Sequence, residues 1–252
     1  MKKLNYWVIA IVAVITLSIS GCKKEIEPIL PVYSDAKIYL PVKIFGEGIT
    51  VTYSYLDNSG ILAELTSKLG TDASTYRISY NTSKQPIEGK YCINGVVKKE
   101  IEYVLNATGE VIRGSAFEVN DGIPGALLYY YTLTYDNLNR LKRVIHYDAN
   151  GQLNTEESYE YSSEGIIIKI NYEGDVAILE YDNFNGIGLS VKNSHLYYLE
   201  IGDYMIFNNK NNLTKLAGTI RTYKYNEDKY PVEMAIVGAD RTYNFTIDYF
   251  VK

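Results

Sequence analysis

Two histidines and two cysteines are all that 252 residues contain. A transition-metal site needs several His, Cys or carboxylate ligands converging on one point. With no H-x-x-x-H and no C-x-x-C, none is nominated, and His146, between Ile145 and Tyr147, reads as a strand residue packed across the sheet. The chain also lacks a G-x-S-x-G elbow, a P-loop and a dinucleotide-binding glycine motif. Glu156, Glu157, Glu160 and Glu164 cluster, but Glu156 and Glu160 share a strand parity and belong on a solvated face. No catalytic residue, no cofactor and no enzyme activity is therefore expected. Calcium has oxygen-rich candidates at Asp148-Ala149-Asn150-Gly151 and Asp182-Asn183-Phe184-Asn185-Gly186, yet neither has the alternating acids and distal Glu of an EF-hand. Asp, Asn and Gly are what hairpin turns require in any case. A net charge of -5 argues against a nucleic-acid partner.

Long apolar runs are scarce too. The longest, Trp7 to Leu17, is shorter than the ~20 residues a spanning helix needs. Behind Lys2 and Lys3 and ahead of Ile19-Ser20-Gly21-Cys22, it reads as a targeting segment. The segment resembles a bacterial lipobox, which implies cleavage after residue 21 and acylation of Cys22, with palmitate-type chains anchoring the protein to a membrane. Cys92 is then the one remaining thiol and no intrachain disulfide forms. Lys23-Lys24-Glu25-Ile26-Glu27 resembles the tract behind the acylated cysteine in surface-exported lipoproteins of Bacteroidota, which implies the outer membrane, surface-exposed in preference to periplasmic. Pro28, Pro31 and Pro41, half of the six prolines, mark residues 22–43 as a tether.

What is abundant is tyrosine, 26 residues against 6 Phe and 1 Trp. Tyrosine favours strands and puts an apolar ring with a polar tip at half-buried positions. Tyr135 to Leu153 holds the organising unit twice: an aromatic residue, then Asp, polar or Gly residues, then an aliphatic residue. This is a hairpin signature. It recurs from Tyr55, Tyr80, Leu105, Tyr161, Tyr181, Phe207 and Tyr225, and by this pattern Gly151 takes a positive φ. Between turns the period is two, with Tyr129, Tyr131, Leu133 and Tyr135 on one face and Tyr243, Phe245, Ile247 and Tyr249 on one face of the last strand. Ile166 to Ile170 is apolar on both parities and reads as more buried. Over residues 59–70, Ile61, Leu62, Leu65 and Leu69 fit helical spacing while the repeat predicts a strand.

Residues 44–252 are thus expected to form one all-β domain, an antiparallel meander of hairpin repeats in a strongly twisted sheet, open barrel or half-pipe. The Y-D-x-x-G-x-L units resemble the tyrosine-aspartate repeats of RHS-type proteins over roughly residues 49–190. The C-terminal half, with Tyr181-Asp182-Asn183-Phe184-Asn185-Gly186, Asn211-Asn212-Leu213 and Tyr230-Pro231-Val232, is similar to Bacteroidota lipoproteins of the DUF4595 type. Those resemblances imply fold and address, with no residue roles to carry over. Function is left to recognition: Tyr129, Tyr130 and Tyr131, with Tyr197 and Tyr198, place rings on both faces of their strands, so some are candidates to contact a glycan, peptide or protein. The alternatives are a periplasm-facing carrier holding an apolar ligand in a curled sheet, and a structural envelope component.

Overall fold

The computed structural model describes residues 37–172, 174–201, 210–216 and 218–252. Expectations for Cys22 and the signal segment fall outside them, as does the turn at Phe207. Residues 37–252 form one body. Its first strands are β1 (Tyr39–Gly46), β2 (Ile49–Leu56), β3 (Ile61–Leu69), β4 (Asp72–Tyr80), β5 (Pro86–Ile93) and β6 (Val96–Leu105). There follow β7 (Val111–Asn120), β8 (Ile123–Tyr135), β9 (Leu141–Asp148), β10 (Leu153–Tyr161), β11 (Ile167–Tyr172) and β12 (Asp175–Ile178). The last are β13 (Glu180–Tyr181), β14 (Leu213–Leu216), β15 (Thr219–Tyr225), β16 (Pro231–Val237) and β17 (Thr242–Val251), with, among the described residues, one helix, α1 (Ser194–Ile201), between β13 and β14.

Except between β12 and β13, each strand pairs antiparallel with its sequence neighbours, and β1 pairs with both β2 and β17, which returns the sheet on itself. At one seam Leu179 joins β12, which pairs with β11, to β13, which pairs with β14, so covalent chain replaces a ladder. The result is a nearly closed barrel, the all-β meander expected from the turn pattern.

Two kinds of turn alternate between its ends. At one end Glu47-Gly48, Asn94-Gly95 and Asp121-Gly122 all have positive φ, the two-residue turn whose twist matches the strands. At the other end sits the tyrosine-led unit. Asn81, Asn106, Asp136 and Asn226 each accept, on the side-chain oxygen, the N–H of the residue four on, at 2.9, 3.0, 2.9 and 2.9 Å. The residue three on is left-handed in each, with φ of 60° at Lys84, 93° at Gly109, 60° at Asn139 and 67° at Lys229. The preceding tyrosine supplies a latch: the hydroxyls of Tyr55, Tyr80, Tyr135 and Tyr161 donate to the carbonyls of Pro41, Leu62, Val111 and Leu141, at the start of the adjacent strand. Asp148 builds the same turn at the opposite end, and Gly151 has φ 83°. Gly151→Val should cost about 1–2 kcal/mol in a urea melt, because a β-branched residue resists that conformation. Gly151→Asn should be nearly neutral, since Asn139 already occupies the equivalent position.

Side chains alternate across the wall. Tyr131 and Leu133, with Phe245 and Ile247, are buried inside, as the period of two requires. Outside run cross-strand ion pairs: Glu64 with Arg77, Lys90 with Glu100, Arg143 with Glu156, Glu160 with Lys169, Glu180 with Lys215 and Lys224 with Glu233. A membrane-spanning barrel has the reverse arrangement, an apolar outer band around a polar interior. Such exposed pairs contribute little stability each. They keep the outer wall wet.

A barrel of this strand number is too wide for wall side chains alone to meet at its axis. Tyrosines and α1 fill it. Tyr76, Tyr131 and Tyr197 are fully buried, and the Tyr131 ring lies where a Cβ on the paired Gly114 would be. Gly114→Ala therefore forces the ring to move and should cost about 1–3 kcal/mol. Gly125→Ala, with its nearest neighbour at 3.5 Å, is the matched control in the same melt.

Two expectations are corrected and one open alternative is resolved. The tether ends before residue 39, because Tyr39–Gly46 is β1; Pro41 fits there beside a register shift, where a missing N–H does no harm. Residues 61–69, which fit either a helix or a strand, form β3 as the repeat predicts, and Gly70 serves a hairpin with φ 60°. Ile168 is 40% exposed, so the apolar run from Ile166 to Ile170 still has an outward face.

Candidate ligand site in the barrel lumen

After β13 the chain leaves the wall and turns inward. Asp182 and Asn212 clasp the two ends of this excursion: Asp182 accepts the Asn212 N–H at 3.1 Å, and the Asn212 side chain accepts the Ile187 N–H at 3.0 Å. Lys192 then donates to the Gly60 carbonyl at 2.7 Å, a short parallel bridge that aims α1 into the lumen. Leu196, Tyr197 and Tyr198 are buried in succession, so α1 meets side chains on several faces. Such a helix has no amphipathic stripe.

The candidate tyrosines are dispersed by this arrangement. Tyr197 and Tyr198 sit on α1, not on a strand. Tyr197 packs edge-on against Tyr76 and donates to the Leu62 carbonyl at 3.1 Å. The Tyr198 hydroxyl donates to buried Glu157 at 3.0 Å, and Tyr159 donates to the same oxygen at 2.7 Å. Tyr131 is buried against His146. Tyr129 points inward and is held by Lys99 and Glu200. Tyr130 alone of the five faces out, stacked on Tyr147 beneath Arg113. These rings serve packing, and no surface cluster of them exists to grip a ligand. Asp148 and Asp182 each spend Oδ1 on backbone N–H groups, Asp182 Oδ2 accepts from the Asn212 amide and the Tyr225 hydroxyl, and among the described residues no three His, Cys, Asp or Glu side chains converge. Cys92 is free and buried.

Among the described residues, two cavities of similar size stand out instead. One, of about 540 Å³, opens among the tyrosine-led turns and is lined by Glu110, Tyr135, Asn139, Arg140, Tyr161, His195 and others. Most of its polar groups are already bonded: Tyr135 to Val111, Tyr161 to Leu141, Asn139 to Glu110 and Arg140 to Asp136.

The second cavity, of about 560 Å³, lies toward the two-residue turns, beside the end of α1. Ile44, Ile49, Val51 and Leu65 come from β1 to β3, Ile236 and Phe245 from β16 and β17, and Ile201 from α1. Ser67, Ser74, Tyr91 and Glu200 complete it. Half-buried Ile49, Ser67, Ser74 and Tyr91 connect it to the barrel end. Its volume and mostly apolar lining are those of a small-molecule pocket. Burial pushes the Tyr129 phenol well above its ordinary range, and neighbouring Glu200 adds to this, so Tyr129 stays a neutral donor. Nothing in the sequence pairs Glu200 with Lys99, 101 positions away; a lone Glu in Leu-Glu-Ile gives no local signal.

Burial also holds His195 down to about 4, edge-on to Tyr135, and lowers His146 in the same direction. An unfolded histidine titrates near ~6.5. Below that pH the unfolded chain binds the proton first, so the stability held with His195 neutral is lost as pH falls toward 4. The expected loss is on the order of 2–3 kcal/mol. Denaturation midpoints from pH 7 to 4 should show it, and His195→Asn should flatten the slope.

No family model and no curated protein matches the chain. Among solved structures it is similar to a porin-like protein from Bacteroides uniformis ATCC 8492, with a TM-score of 0.53 and 15% identity over 86% of this chain and 96% of that one. The two share a barrel fold. A TcdB2-TccC3 structure aligns at a TM-score of 0.31 and 15% identity over 79% of this chain, which spans only 10% of that one, too low a likeness to inform the fold.

Proposed function

We propose that this protein is a non-catalytic, membrane-anchored lipoprotein of the DUF4595 type whose barrel binds an apolar small molecule in the cavity beside α1. The lipobox at Cys22 supplies the anchor and the tether places the barrel near a membrane, where such ligands are found. One observation carries the reading: Ile44, Ile49, Val51, Leu65, Ile236 and Phe245 line one continuous apolar wall. Burial of apolar ligand surface there is favourable at roughly 25 cal/mol per Å². This reading replaces glycan or protein recognition by exposed tyrosines, whose rings are committed to packing. The test is titration with N-phenyl-1-naphthylamine. Saturable fluorescence enhancement is expected, and it should be lost in Ser67→Trp, which fills the cavity at its half-buried edge. Absent binding, or binding unchanged in Ser67→Trp, removes the cavity as the site.

A further inference from the structure

We infer that the cavity among the tyrosine-led turns is a second site, which takes a small organic acid with its carboxylate at Arg140 and its apolar body against the inner wall. This cavity shares no lining residue with the one beside α1, so the two sites stand or fall separately. Three cations line it, Arg140, Lys192 and Lys210, against one carboxylate, Glu110. In a chain of net charge -5 that is a local reversal of sign. α1 also starts here, with Ser194 in the lining, and the positive end of its dipole adds to the cations. His195 titrates at about 4 and brings no charge at neutral pH.

Arg140 is the anchor. Its Nε and Nη2 hold Asp136 Oδ2 at 2.7 and 2.6 Å, and its guanidinium lies 4.3 Å from the centre of the Tyr161 ring. The third nitrogen, Nη1, has no partner among the described residues and lies toward Gly165 in the lining, 3.9 Å from where a Cβ there would be. A donor fixed before the ligand arrives loses little side-chain entropy on binding. Asp136 is outside the lining, and its other oxygen is capped by the N–H groups of Leu138 and Arg140. Lys192 is exposed and has no ion pair among the described residues, while Lys210 reaches Glu164 only at 3.5 Å, a pairing of two exposed side chains that holds little. Glu110 is engaged on both oxygens, by the Asn139 amide at 2.6 Å and by the Thr108 hydroxyl. Buried Val111, Leu141 and Ile167 form the inner wall, with the rings of Tyr135 and Tyr161 beside them. An amine would meet like charges here, and a neutral body would leave Nη1 without an acceptor.

The experiment follows the Val111, Leu141 and Ile167 methyls by NMR during titration with indole-3-acetate, indole-3-acetamide and tryptamine, which share one ring system and differ in charge. Indole-3-acetate should saturate these shifts about tenfold tighter than the amide, the gain of one charge-assisted hydrogen bond, and tryptamine should bind weakest. Equimolar inorganic phosphate should not displace it, since phosphate has no body to bury. Arg140→Gln should abolish the preference for the acid. Lys192→Met, an exposed change away from the Asp136 turn, should weaken the acid about threefold and leave the amide unmoved. Equal binding of acid and amide, preference for tryptamine, or displacement by equimolar phosphate overturns the inference. So do shifts confined to Ile44, Val51 and Leu65, which would put the acid in the other cavity, and the absence of shifts with all three indoles.

Discussion

Tyr197→Ala should lower the stability of the barrel by about 3–5 kcal/mol, the cost of deleting a fully buried aromatic side chain whose surroundings collapse only in part. Tyr197 is 0% exposed, edge-on to Tyr76 at 5.2 Å, and its hydroxyl bonds the Leu62 carbonyl from the lumen side. Loss of the ring therefore leaves a void where α1 meets β3 and β4. Tyr197→Phe isolates the hydroxyl and should cost about 1 kcal/mol, with the Leu62 carbonyl also held by Tyr80. Urea denaturation of the three proteins measures both. If Tyr197→Ala melts with the parent, α1 does not fill the lumen.

Lys99→Met should be comparably damaging, about 3–5 kcal/mol, because it strands a buried carboxylate. The side chain of Lys99 is 20% exposed and that of Glu200 is 0%, so water replaces little of what is lost. Lys99→Met/Glu200→Leu should recover most of this stability, since replacing both charges by apolar groups of similar size is close to neutral. A double variant as unstable as the single one would show that the damage lies in packing around Tyr91 and Tyr129, and not in the orphaned charge.

The wall was legible from its turns. Asp136 and Asp148 announce their hairpins because a side-chain oxygen capping the N–H four residues on is a local act, and Tyr135, before the first of these turns, reports the inward face. Parity placed Tyr131 and Phe245 inside for the same reason. α1 was not legible. Ser194–Ile201 carries consecutive buried side chains, so it has neither the stripe of a surface helix nor the alternation of a strand, and Tyr197-Tyr198 reads as strand from propensity alone. β3 shows the converse: Ile61, Leu62 and Leu65 fit helical spacing, but pairing with β2 and β4 decides the matter. The ligand site was hidden more deeply, since its walls come from both ends of the chain and meet only when β1 pairs with β17. Sequence distance conceals what closure brings together.

The most direct test of a ligand-binding lumen is methyl-resolved NMR of the folded barrel during titration with 1-decanol. Saturating shifts confined to Ile44, Val51, Leu65 and Ile236, with Val111, Leu141 and Ile167 unmoved, are the expected result. Shifts at Val111, Leu141 and Ile167, or none at any of these methyls, would contradict it: the first would move the site to the cavity among the tyrosine-led turns, the second would leave the barrel without a lumen ligand.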